Sequence, residues 1–201
     1  MTGVWRTIPP ETPVKNKRDS AMKARTLLIV SLTVLLTTSA GIALSADNSQ
    51  QKYSLISPGG IKFADFKGYE DWSVVSSART DEVLKVIVAN PTMIKAYKEG
   101  VPGNGKPFPE GSKIVKLQWK PKKSSEAPFV VDVPDVFTQA FVMELDSARF
   151  PKTGGWGYAT FNYDATTKTF SPDAKSPADC GHSCHVTVKA KDYIFHPYQQ
   201  R

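Results

Sequence analysis

Cys180 and Cys184 stand four positions apart in the segment SPADCGHSCHVTV, which runs from Ser176 to Val188, and His185 follows Cys184 directly. Two thiols beside an imidazole open three chemistries. The thiols can add to the vinyl groups of a haem while the imidazole ligates its iron, an arrangement that ordinarily has the spacing C-x-x-C-H. The spacing here is C-x-x-x-C-H. The extra residue can be absorbed by a bulge in the short helix that usually carries such a site, and attachment through Cys184 alone is the other form it allows. The thiols could instead close a disulfide and leave His185 on the surface. A zinc site needs further ligands, and only His182 lies nearby. The motif together with an export signal favours haem. On that reading His185 is the iron ligand, His182 a spacer, and His196, in the tail sequence IFHPY, an exposed residue.

The export signal is read from residues 27–43 (LLIVSLTVLLTTSAGIA), an apolar run preceded by Met22, Lys23 and Arg25 and followed by the small residues Ala43, Ser45 and Ala46. This is the order of charged start, apolar core and cleavage site in a secretory signal. Residues 22–46 are therefore expected to be removed after Ala46, the alternative being an uncleaved anchor, since the run approaches the ~20 residues that span a bilayer. Residues 1–21 have no apolar periodicity and read as an untranslated or disordered leader, because Met22 could itself begin a signal. Residues 47–201 then form a single domain, large enough to bury a core without disulfides. It is expected in the periplasm, with no stable membrane span after cleavage. Of 26 basic and 19 acidic residues, 6 and 2 precede Asp47, which leaves 20 against 17 and a mature net charge of only +3. With no Lys/Arg run interleaved with aromatics, this speaks against a nucleic-acid partner.

The site must be positioned by strands. Residues 72–78 (WSVVSSA) and 83–89 (VLKVIVA) are short, β-branched and parted by a polar break, which predicts a hairpin. Asn90-Pro91 ends the second strand and opens a helix through about Glu99, stopped by Gly100. Further strands are expected over 113–120 (KIVKLQWK), 137–145 (FTQAFVMEL) and 156–163 (WGYATFNY), with Pro121 to Pro134 an irregular loop. Five strands without βαβ alternation predict a mainly β (α+β) fold, an antiparallel sheet with a few short helices and a C-terminal haem-attachment helix. Strand alternation puts Lys116 on the face of Ile114 and Gln118. An inward lysine is costly unless it is consumed, and an ordinary solvated strand lysine is the plain alternative.

The chain resembles the cytochrome P-460 family, which includes the cytochromes c′-beta. The carriers are Gly68-Tyr69 with Trp72, VIVANP (Val86 to Pro91), KPFPEG (Lys106 to Gly111), Lys116 with Trp119, GGWG (Gly154 to Gly157) and CGHSCHVTVKAKDYIF. They span nearly all of the expected mature chain in consistent order. The resemblance implies an antiparallel β fold around one covalently attached haem c, held through Cys180 and Cys184, with His185 as proximal ligand and an open distal position. It implies that Lys116 occupies the place of a lysine joined to the haem macrocycle. The family's distal arginine would fall at Lys85, where this sequence departs: an ammonium point charge replaces a planar fork. Phe141, Tyr158 and Phe161 are candidates for an aromatic distal wall, and Glu144 is the nearest candidate for a distal base.

Two functions follow from the resemblance. One is an oxidoreductase that oxidises hydroxylamine and/or nitric oxide and passes electrons to a soluble acceptor such as another cytochrome c. The other is a binding protein that takes up nitric oxide or carbon monoxide on a five-coordinate haem without catalysis. Simple electron transfer is disfavoured, because Met93 and Met143 fall in core-like positions rather than as a sixth ligand. Homodimers are common in the family. Lys116 tips the reading toward the oxidoreductase.

Overall fold

A computed structural model of the chain describes residues 51–175, 178–199 and 201. The expected leader (1–21) and export signal (22–46) lie outside the described residues. Among those described, no helix is long and apolar enough to cross a membrane.

Six antiparallel strands form one sheet in sequence order: β1 Ser73–Arg79, β2 Leu84–Ala89, β3 Lys113–Lys123, β4 Asp132–Leu145, β5 Trp156–Asp164 and β6 Thr169–Pro172. Among the described residues two α-helices accompany them, α1 Pro91–Lys98 and α2 Ala178–His185. The fold is mainly β, as the strand-like runs predict. Asn90 accounts for the sharp start of α1, because its Oδ1 accepts from the Met93 N–H at 3.1 Å and Pro91 needs no partner for a missing N–H. The same Oδ1 accepts from the Lys113 N–H, and the Asn90 amide donates to the Gly111 carbonyl at 2.8 Å. One side chain thus stitches the end of β2 to the start of β3.

Both faces of the sheet are covered. Ala89, Ile114, Leu145, Trp156 and Tyr158 pack on one side against α1 and the C-terminal segment, including Met93, Tyr97, Tyr193 and Ile194. Val88, Val115, Val142, Ala159 and Phe161 pack on the other against Ile61, Phe63, Phe66 and Tyr69. Strands β2 to β5 contribute alternate residues to the two cores, which is why β4 and β5 are buried on consecutive positions.

Two expectations change. The segment from Pro121 to Pro134 is not all loop: β3 and β4 continue as a long hairpin in which Pro121 pairs opposite Pro134 and Lys123 opposite Asp132. The pairing tolerates both prolines because the register shifts on either side of Trp119, so the ladder is already interrupted there. A sixth strand, Thr169–Pro172, follows a turn in which Asp164 Oδ1 accepts from the Thr166 and Thr167 N–H groups.

Candidate functional site

The face of the sheet opposite Phe63 and Phe66 carries a cleft closed by α2 and the segment after it. Ile87, Ile114 and Lys116 supply one part of its wall, Phe141, Met143, Tyr158 and Thr160 another, and Gly181, His185 and residues 194–196 the cover. It holds a cavity of about 140 Å³ that opens to solvent. Most of the wall is hydrocarbon. Strand register sets the wall: Ile87 pairs with Lys116, Lys116 with Phe141, and Phe141 with Thr160, one row of side chains across four strands.

The cover is held tightly. A Cβ on Gly181 would lie 2.5 Å from Tyr158 Cβ and Cγ, so only glycine lets α2 approach β5 this closely. That approach seats His185 between rings, with Tyr158 5.2 Å and Phe195 4.7 Å away centroid to centroid. His185 Nδ1 lies 2.6 Å from the Tyr193 carbonyl oxygen, which fixes Nδ1 as the protonated nitrogen and leaves Nε2 with its lone pair. Burial pushes the imidazole pKa down, against the Tyr193 hydrogen bond that pushes it up. A neutral, oriented imidazole of this kind is a metal ligand in waiting.

Lys116 lies in the wall with its Nζ 3.8 Å from the centre of the Phe141 ring. Burial, and next the charge of Lys85, push its pKa down to about 8, while Cys184 pulls it up. Near neutrality a real fraction of this amine is uncharged, so it can act as a nucleophile. Lys116, Phe141, Tyr158 and His185 are thus brought together. Cys184, on α2, carries a free, exposed thiol. Cys180 belongs to α2 by its backbone, and its side chain lies outside the described ones.

Two expected residues fall on the far face, and a third lies on the cleft face beyond the lining. Phe161 is fully buried on the far face, stacked on Phe63 at 4.5 Å. It lies three residues from Tyr158 on one strand, and a period of two forbids both from sharing a face. Glu144 also belongs to the far face, where its Oε1 accepts from Arg149 at 2.5 Å and Lys113 stands 3.9 Å from Oε2. Burial raises its pKa, with Arg149 opposing; it serves a structural ion cluster rather than the cleft. Lys85 pairs with Gln118, two positions beyond the Ile87–Lys116 pair and so on the same face of the sheet, past the residues that line the cleft. Its charge lowers the Lys116 pKa. Met143 lines the cleft and Met93 is core.

The cleft also contains Thr160, Ile194, Phe195 and His196, which the sequence did not mark. His196 read as tail because its neighbours are polar and aromatic without periodicity. Its backbone carbonyl accepts from the Tyr97 hydroxyl at 3.3 Å, a contact across 99 positions that no local pattern shows. Tyr158 Oη and His182 Nδ1 are buried without a hydrogen-bond partner from the protein, so polar capacity beside α2 is left for a bound group.

An apolar cleft in an antiparallel sheet, covered by a short helix that ends in a carbonyl-oriented histidine beside a thiol, defines a β-sheet protein with a site suited to a metal-centred cofactor. Residues 66–196 match the family model described as Cytochrome P460, and the chain belongs to that family, whose members are haem proteins. No curated protein matches it.

Proposed function

We propose that the cleft holds one haem c, attached through Cys184 and Cys180, with His185 as proximal iron ligand, and that the protein oxidises hydroxylamine, nitric oxide or both. The observation that carries this reading is Lys116: a half-buried amine in the cleft wall, pKa about 8, on the row of side chains that includes Phe141 and Thr160. When bound, haem supplies an iron that takes a small nitrogen-oxide ligand and a route for its electrons. Lys116, through its uncharged fraction, would supply the nitrogen for a C–N bond to the macrocycle, with an N–H and a macrocycle C–H bond broken, two protons released and two electrons taken by an external oxidant. His185 donates through Nε2, its ring fixed by the Tyr193 carbonyl. Ile87, Ile114, Phe141 and Met143 exclude water and admit a ligand of a few atoms. Electrons pass to a soluble acceptor such as another cytochrome c. Export of residues 47–201 to the periplasm, where thiols are attached to haem, is consistent with the apolar run at 27–43.

A second reading, reversible binding of nitric oxide or carbon monoxide, is favoured by one feature: no carboxylate is among the cleft-lining residues. Hydroxylamine-dependent reduction of an added acceptor separates the two. The oxidoreductase reading expects steady turnover by the matured protein and its loss in Lys116→Met; gas binding without turnover in the wild type leaves the second reading standing.

A further inference from the structure

Three segments far apart in the chain meet at the carboxylate of Asp192. The backbone N–H of Phe108, from the loop before β3, donates to Oδ2 at 2.6 Å. The indole Nε1–H of Trp156, the first residue of β5, donates to Oδ1 at 3.3 Å. Trp156 is 0% and Phe108 3% exposed, so both donors belong to packed core and would go unsatisfied without this acceptor. Asp192 and Tyr193 have φ of 49° and 63°, two consecutive side-chain-bearing residues in the left-handed region that favours glycine. Such a turn persists only where its surroundings fix it. Here the Tyr193 N–H donates to the Val188 carbonyl, and the Tyr193 ring fills the space where a side chain on Gly154 would stand. The product of the turn is the Tyr193 carbonyl oxygen, 2.6 Å from His185 Nδ1.

We propose that Asp192 is a positioning residue for the iron ligand: by tying the Asp192–Tyr193 turn to Phe108 and Trp156, it holds the Tyr193 carbonyl that orients His185. The proposal rests on His185 being the ligand. A carboxylate suits the task because it accepts from two donors on two separate elements, where an amide offers only one oxygen. A short Nδ1–H···O bond makes the imidazole a more basic ligand and fixes its ring. A more basic ligand favours ferric iron.

Asp192→Asn tests this, since asparagine tolerates the left-handed backbone and keeps the shape while surrendering one acceptor. In the matured ferrous protein the iron–histidine stretching band is expected to move to lower frequency. The one-electron couple is expected to move toward the reduced form by about tenfold, ~59 mV. Loss of the negative charge alone would shift the couple and leave the band in place, so the band decides. Trp156→Phe removes one donor while keeping Asp192, and a smaller shift of the band in the same direction is expected; it serves as the test where Asp192→Asn does not mature. An unmoved band in either matured variant overturns the proposal. A wild-type protein with haem but no iron–histidine band overturns the His185 reading, and this proposal with it, so the two failures are distinct.

Discussion

Lys116 is a strand lysine whose neighbours decide its chemistry. Below pH 8 its amine is mostly protonated and inert; above it the amine is mostly neutral, because burial disfavours the charged form. In protein loaded with haem under reducing conditions and then given an oxidant, crosslink formation should rise about tenfold between pH 7 and 9 and level off. A lysine of ordinary pKa would keep rising through that range without a plateau. Stopped-flow absorption at stepped pH distinguishes the two. Lys116→Met should mature with haem but lack the hydrogen loss in intact mass that marks the extra bond. The residues legible in sequence were those whose chemistry is local: Cys184 and His185 are adjacent, and the face of Lys116 follows from counting by two along β3. Phe161 fails by the same count, since it cannot share a face with Tyr158. His196 was not legible because its place depends on how the tail folds back.

At the scale of elements, α2 is only as well placed as its contact with β5. Gly181→Ala would drive a methyl into the Tyr158 ring and force α2 outward. The expected cost is ~1–3 kcal/mol, typical of overpacking, together with poor haem retention, measured by thermal melting and by the ratio of Soret to protein absorbance. Asn90→Ala removes the α1 cap and the tie to β3 at once; its cost should reach the upper part of the ~0.5–2 kcal/mol range for caps, read from denaturant midpoints. The hairpin, the Pro91 helix start and three further strands could be read from β-branched runs and turn residues. β6 escaped because four residues, Thr169–Pro172, give too short a pattern, and its existence depends on the edge that β5 offers. The arms of the β3–β4 hairpin escaped because proline argues against a strand, and the irregular register that admits it is a tertiary property.

For the whole molecule, the far face decides whether the sheet can present the cleft at all. Glu144 is 4% exposed and paired with Arg149, which also donates to the Gly60 carbonyl, while Lys113 donates to the Asp65 carbonyl at 2.6 Å. This cluster fastens the segment around Gly60 and Asp65 to the paired ends of the central strands β3 and β4. Arg149→Ala should cost about 2–3 kcal/mol, less than the ~3–5 kcal/mol of a fully buried pair, because Arg149 is partly exposed. The folded-state pKa of Glu144 lies above the unfolded value of 4.5. The folded form therefore binds the proton more tightly, and this group subtracts stability as pH rises from 4.5 through the folded pKa. In Glu144→Gln that part of the pH slope should vanish from denaturation curves.

The proposed single covalent haem c with a Lys116 crosslink is to be read from the reduced absorption spectrum and intact mass of the matured protein. The expected result is one haem added to residues 47–201, hydrogen loss beyond thioether formation, and a reduced Soret band far to the red of an ordinary c haem. An ordinary high-spin Soret with no such hydrogen loss would contradict the crosslink and leave gas binding as the better reading.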